Sequence, residues 1–117
     1  MFGGRMPPRI GGVGVSGGMS ATAANTFTAA GTASVTATLP GGAVGTPRKI
    51  RASGSVSGAV TLQYANAQEL TVSVNPNAPY TELDIPPQAF PSKTGEVTVT
   101  LTADGAGTIR AIVDFSP

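Results

Sequence analysis

The chain has 117 residues and a formal charge of +1, with 11% charged residues, sixteen glycines, ten prolines and no cysteine, histidine or tryptophan. That length suits one domain with one modest core. Without cysteine or histidine the chain has no disulfides, no Ser–His or Cys–His catalysis and none of the usual zinc sites, so it reads as a non-enzymatic structural or binding protein with no cofactor or metal.

Residues 1–19 form an extended, Gly/Pro-rich N-terminal arm, with seven of the sixteen glycines plus Pro7 and Pro8. Glycine loses much backbone freedom on ordering, and paired prolines favour an extended path. Phe2, Arg5, Met6, Arg9 and Ile10 give the arm apolar anchors and guanidinium forks, which makes them the candidate partner-binding residues. Glycine and proline interrupt any signal-like apolar core in this segment. The chain is therefore expected to be made in the cytoplasm from its own start. Nowhere does it approach the roughly twenty consecutive apolar residues that span a membrane.

Gly12-Val-Gly-Val-Ser-Gly17 matches the dinucleotide-binding fingerprint. That motif works between a strand and a helix, where the helix N-terminus receives the pyrophosphate. Here two prolines precede it, no helical period follows and no acid lies about twenty residues on, so an accidental match in a glycine-rich arm explains it.

From residue 20 to residue 117 the pattern alternates with period two, as half-buried strands do. Ser20–Ala30 reads as loop or strand, with Thr26-Phe-Thr a weak strand candidate. Val35, Ala37 and Leu39 share one face, and Ile50 sits in a shorter strand. Val60/Leu62/Tyr64, Leu70/Val72/Val74, Leu83/Ile85, Val97/Val99/Leu101 and Ile109/Ala111/Val113/Phe115 follow. Pro- and Gly-rich breaks separate them, and Asp104-Gly-Ala-Gly107 reads as a tight hairpin. Seven or eight short strands predict an all-β chain, a single antiparallel β-sandwich of jelly-roll or immunoglobulin-like order. Ala33, Ala37, Ala52, Ala59 and Ala111 predict closely spaced sheets. The scarcity of large side chains points to homo-oligomerisation.

Charge is unevenly placed. Residues 1–68 hold five cations and no acid, whereas residues 69–117 hold six acids and two cations. The halves either neutralise each other within one fold or orient subunits against one another. Arg48, Lys49 and Arg51 are the single basic cluster and the candidate interface charges. Period-two reading puts Arg48 and Arg51 on opposite sides of their strand. With no aromatic beside them for base stacking, no nucleic-acid partner is expected. Glu82 and Asp84 share a strand face, but they read as solvated charges that discourage edge pairing rather than a glycosidase pair. Asp104 and Asp114 offer too few oxygens for calcium. Tyr80 is a candidate exposed ring.

The arm Met1–Met19 followed by a Thr/Val-alternating, cysteine-free body resembles small β-sandwich head-decoration (cement) proteins of bacteriophages. That resemblance implies a virion structural protein made in the host cytoplasm. It would dock through the arm on the major capsid protein and stabilise the shell, trimers being favoured. Tail, adaptor or fibre-base subunits are the neighbouring alternative. A carbohydrate-binding or adhesin-like sandwich is the other, and it requires Tyr80, Phe27 or Phe90 to be exposed.

Overall fold

A computed structural model describes residues 19–64 and 68–117. Among them are eight strands: β1 (Met19–Phe27), β2 (Gly31–Thr38), β3 (Thr46–Gly54), β4 (Gly58–Tyr64), β5 (Gln68–Val74), β6 (Thr81–Asp84), β7 (Glu96–Ala103) and β8 (Gly107–Ser116). They form two four-stranded antiparallel sheets, ordered β1-β8-β3-β6 and β2-β7-β4-β5. The first strand pairs with the last, the second with the seventh, the third with the sixth and the fourth with the fifth. This is one long hairpin rolled over on itself, the wiring of an eight-stranded jelly roll. The expected sandwich is therefore present, and of the two strand orders that the alternation allowed it is the jelly roll.

Period-two alternation makes the core directly. Ala21, Ala23, Ile50, Ala52, Ile109, Ala111, Val113 and Phe115 point inward from the first sheet. Ala37, Val60, Leu62, Val72, Val74, Val97, Val99, Leu101 and Ala103 point inward from the second, and Leu39, Ile85 and Ala89 join them from the connections. Complete burial of each Val, Leu or Ile contributes about 1.5–3 kcal/mol. No polar or charged residue is buried among the described residues. Ala23, Ala111 and Ala52 lie side by side across β1, β8 and β3, a row of methyls that leaves room for the larger side chains of the facing sheet. Ala59 departs from the expectation: it pairs with Thr102 on the outer face of the second sheet.

Two boundaries differ from the sequence reading. Of the loop or strand allowed for Ser20–Ala30, strand is what forms as far as Phe27, and β1 begins at Met19, one residue inside the expected arm. Asp104–Gly107 is not a hairpin, because β7 and β8 belong to different sheets. A tight turn reverses the chain, but whether the two arms pair or pack face to face depends on which strands have already claimed their edges. The fingerprint glycines Gly12–Gly17 lie outside the described residues.

Between β2 and β3 the chain turns at Pro40-Gly41-Gly42, where Gly41 and Gly42 adopt φ of 68° and 73°. Side chains other than glycine are strained there, which accounts for the pair.

Candidate functional site

The charged side chains that pair with one another lie on the outer face of the β1-β8-β3-β6 sheet. Strand register sets them in rows: Asp114, Lys49 and Asp84 in one, Ile112, Arg51 and Glu82 in the next, Arg110 and Ser53 in the third. Arg51 reaches across to β8 with a fork, Nε donating to Asp114 Oδ2 at 3.2 Å and Nη2 to Oδ1 at 2.9 Å. Ser20 Oγ donates to the same carboxylate at 2.7 Å. Lys49 Nζ lies 3.5 Å from Glu82 and 3.9 Å from Asp84. The hydrogen bond to Asp114 raises the Arg51 pKa above the ordinary arginine value. The stabilisation implied by a raised value is lost only above that range, so Arg51 stays charged wherever the fold survives.

Within this sheet, two cations of β3, Lys49 and Arg51, meet acids of β6 and β8. Glu82 and Asp84 do share a face, and both are occupied by Lys49. Arg48 corrects the period-two reading. A bulge between Pro47 and Lys49 lets its Nε donate to Ser116 Oγ at 3.3 Å, two residues along β8 from Asp114. An extra residue in one strand breaks alternation locally, and so Arg48, Lys49 and Arg51 come to the same face.

Tyr80 stands immediately before β6 with half of its surface exposed, and the Arg51 guanidinium carbon lies 5.8 Å from its ring centre. Beside the third row is a shallow pocket of about 340 Å³, lined by Ser53, Gly54, Ser55, Thr108 and Arg110. Arg110 is exposed and makes no salt bridge among the described residues. Alternation alone does not single out these lining residues, because β3 and β8 become neighbours only in the rolled-up sheet. The other aromatic candidates are withdrawn from solvent: Phe27 is buried, while Phe90 and Tyr64 are half-buried against the core.

Opposite this face, the second sheet presents hydroxyls. Thr32, Ser34 and Thr36 of β2 stand beside Thr102, Thr100 and Thr98 of β7, followed by Thr61 of β4 and Thr71 of β5. Thr36 and Thr98 are hydrogen-bonded to each other at 2.8 Å. Among the described residues no three carboxylates converge closely enough to hold a metal ion, and Asp114 pairs with Arg51. Phe2, Arg5, Met6, Arg9 and Ile10 lie outside the described residues.

Fold and face together define an all-β jelly-roll sandwich with one charged, aromatic-bearing sheet and one hydroxylated sheet. No protein-family model matches the chain, and no curated protein matches it. Among solved structures it is similar to a mutant of a family 29 carbohydrate-binding module made to probe ligand recognition, with 14% identity and a TM-score of 0.33. The match covers 69% of this chain and 59% of that one, so the chain spans less than two thirds of its neighbour.

Proposed function

We propose that this chain is a non-enzymatic recognition module that holds a carbohydrate on the outer face of the β1-β8-β3-β6 sheet. The observation that carries the reading is the half-exposed Tyr80 ring next to Arg51, on the same sheet as the pocket of Ser53, Ser55, Thr108 and Arg110. A sugar offers C–H faces that pack on an aromatic ring, and hydroxyls that both donate and accept. Guanidinium, carboxylate and hydroxyl groups at fixed strand spacing answer those hydroxyls. With Phe27 and Phe90 withdrawn, Tyr80 is a single platform, and a short, shallow epitope fits it better than a long chain. A glycan array probed with the full chain, followed by calorimetry on the sugars retained, tests this. Tyr80→Ala is expected to weaken binding about tenfold or more. An array without binders, or binding indifferent to Tyr80→Ala, would end the proposal.

A second reading is an assembly subunit of a virus particle, such as a capsid decoration protein docking on the major capsid protein through Phe2, Arg5, Met6, Arg9 and Ile10. What favours it is the absence of any charged residue from Met19 to Pro47, a stretch that includes both edge strands β1 and β2. Surfaces of free small domains normally mix many charges, and an uncharged flank suits one that becomes covered. Finding the chain at stoichiometric level in purified particles supports this reading, and its loss on truncating residues 1–18 would assign the contact to the arm.

A further inference from the structure

We propose that the flank made by β1 and β2 is an isologous docking surface for a second copy of this chain, joining both sheets across a twofold axis. This inference is independent of what the Tyr80 face binds.

Each sheet has two edges, and the two flanks of the sandwich treat theirs differently. On one flank, β6 is four residues long, carries Glu82 and Asp84 and is bracketed by Pro79 and Pro86, while β5 beneath it carries Glu69. Short edges, charges and prolines are how sheets avoid pairing with other chains. On the other flank, β1 has nine residues and β2 eight, with neither a charge nor a proline. Each pairs along its full length with one neighbour, β8 or β7, and has no strand on its other side among the described residues. Among the described residues, a row of backbone N–H and C=O groups on each has no strand to pair with.

The occupant follows from charge and register. A twofold axis sets a surface patch against the same patch of its copy, so an edge whose charges are all of one sign repels itself. The flank of Glu82 and Asp84 is such an edge and the β1/β2 flank is not. Register then selects one arrangement. Antiparallel pairing of β1 with its copy about Ala23 sets Thr22 opposite Ala24, Ala21 opposite Asn25, Ser20 opposite Thr26 and Met19 opposite Phe27. Inner-face residues then meet inner-face residues: Ala21, Ala23 and Phe27 are buried, while Ser20, Thr22, Ala24 and Thr26 are exposed. Pairing of β2 about Val35 does the same, Ala33 meeting Ala37 and Ser34 meeting Thr36. An axis perpendicular to the sheets satisfies both edges at once and makes two continuous eight-stranded sheets. A one-residue slip would mix the two faces.

The test uses the exposed positions 22 and 24, where substitution leaves the core untouched. Sedimentation equilibrium of the full chain across about 1–100 µM should show a dimer, in the affinity range of an interface of standard size. The double variant Thr22→Lys/Ala24→Lys sets lysine against lysine twice and should sediment as a folded monomer by circular dichroism. Thr22→Glu/Ala24→Lys sets opposite charges against each other in this register and should restore the dimer. A wild-type monomer throughout that range would overturn the proposal, as would a trimer or an oligomer that survives the lysine pair. Failure of the Glu/Lys variant to restore the dimer would overturn the register.

Discussion

Replacing Leu101 with alanine removes three carbons from a side chain with no solvent exposure in the second half of β7. Transfer alone, at about 0.8 kcal/mol per carbon, gives roughly 2.4 kcal/mol. Its cross-strand partners on the inner face are Ala33 and Val60, both too short to refill the space. A cavity term therefore adds to the transfer term, and the loss should reach about 4 kcal/mol, inside the range for buried Leu→Ala changes. Against a total stability of about 5–15 kcal/mol this is a large fraction. Leu83 makes the control: it pairs with Ile50 and so faces inward, yet at the β6 edge it stays 40% exposed. Leu83→Ala should cost less than about 1.5 kcal/mol, because most of its surface loss was never complete. Guanidinium unfolding followed by far-ultraviolet circular dichroism reads both, with the slope unchanged if only native stability moves. Equal losses for the two leucines would refute the assignment of β7 to the centre of the core.

The remaining consequences are smaller. Gly54→Ala puts a Cβ 2.6 Å from the Thr108 carbonyl oxygen and 3.0 Å from Ile109 Cδ1, so calorimetric melting should show a loss of about 1–3 kcal/mol. A double-mutant cycle on Arg51→Ala and Asp114→Ala should give a coupling of about 0.5–1.5 kcal/mol, because the pair is forked but only partly buried. Much of that coupling should survive moderate salt, whereas the exposed Lys49–Glu82 pair should lose its own within about 0.5 M salt. Thr36→Val breaks an exposed hydroxyl pair on the second sheet, and its unfolding free energy should change by less than about 0.5 kcal/mol.

Alternation in Val97–Leu101 or Ile109–Phe115 is enough to name the buried face, since a half-buried strand must repeat every two residues. The same residues do not reveal that β7 and β8 part company at Asp104–Gly107, because turn chemistry is local and sheet membership is not. Tyr80 was recognisable as a ring between Pro79 and Thr81, a setting with no apolar period to bury it. The residues of the same sheet around it, Arg51, Ser53 and Arg110, were not, since they come from strands about thirty residues away on either side that only the rolled hairpin brings together. Arg48 shows how a single bulge overrides period two and redirects a side chain.

Sequence by itself determined the class: with no cysteine or histidine, few charges and a steady alternation of apolar and hydroxyl side chains, the chain is a β-sandwich with a small-residue core. Tertiary structure alone decided the strand order and the pairing of Lys49 and Arg51 with Glu82, Asp84 and Asp114. It also decided which strands form the edges of the sheets among the described residues. Those outcomes depend on pairings between distant strands, whose energy comes from shared backbone hydrogen bonds and cross-strand contacts that no local stretch of sequence contains.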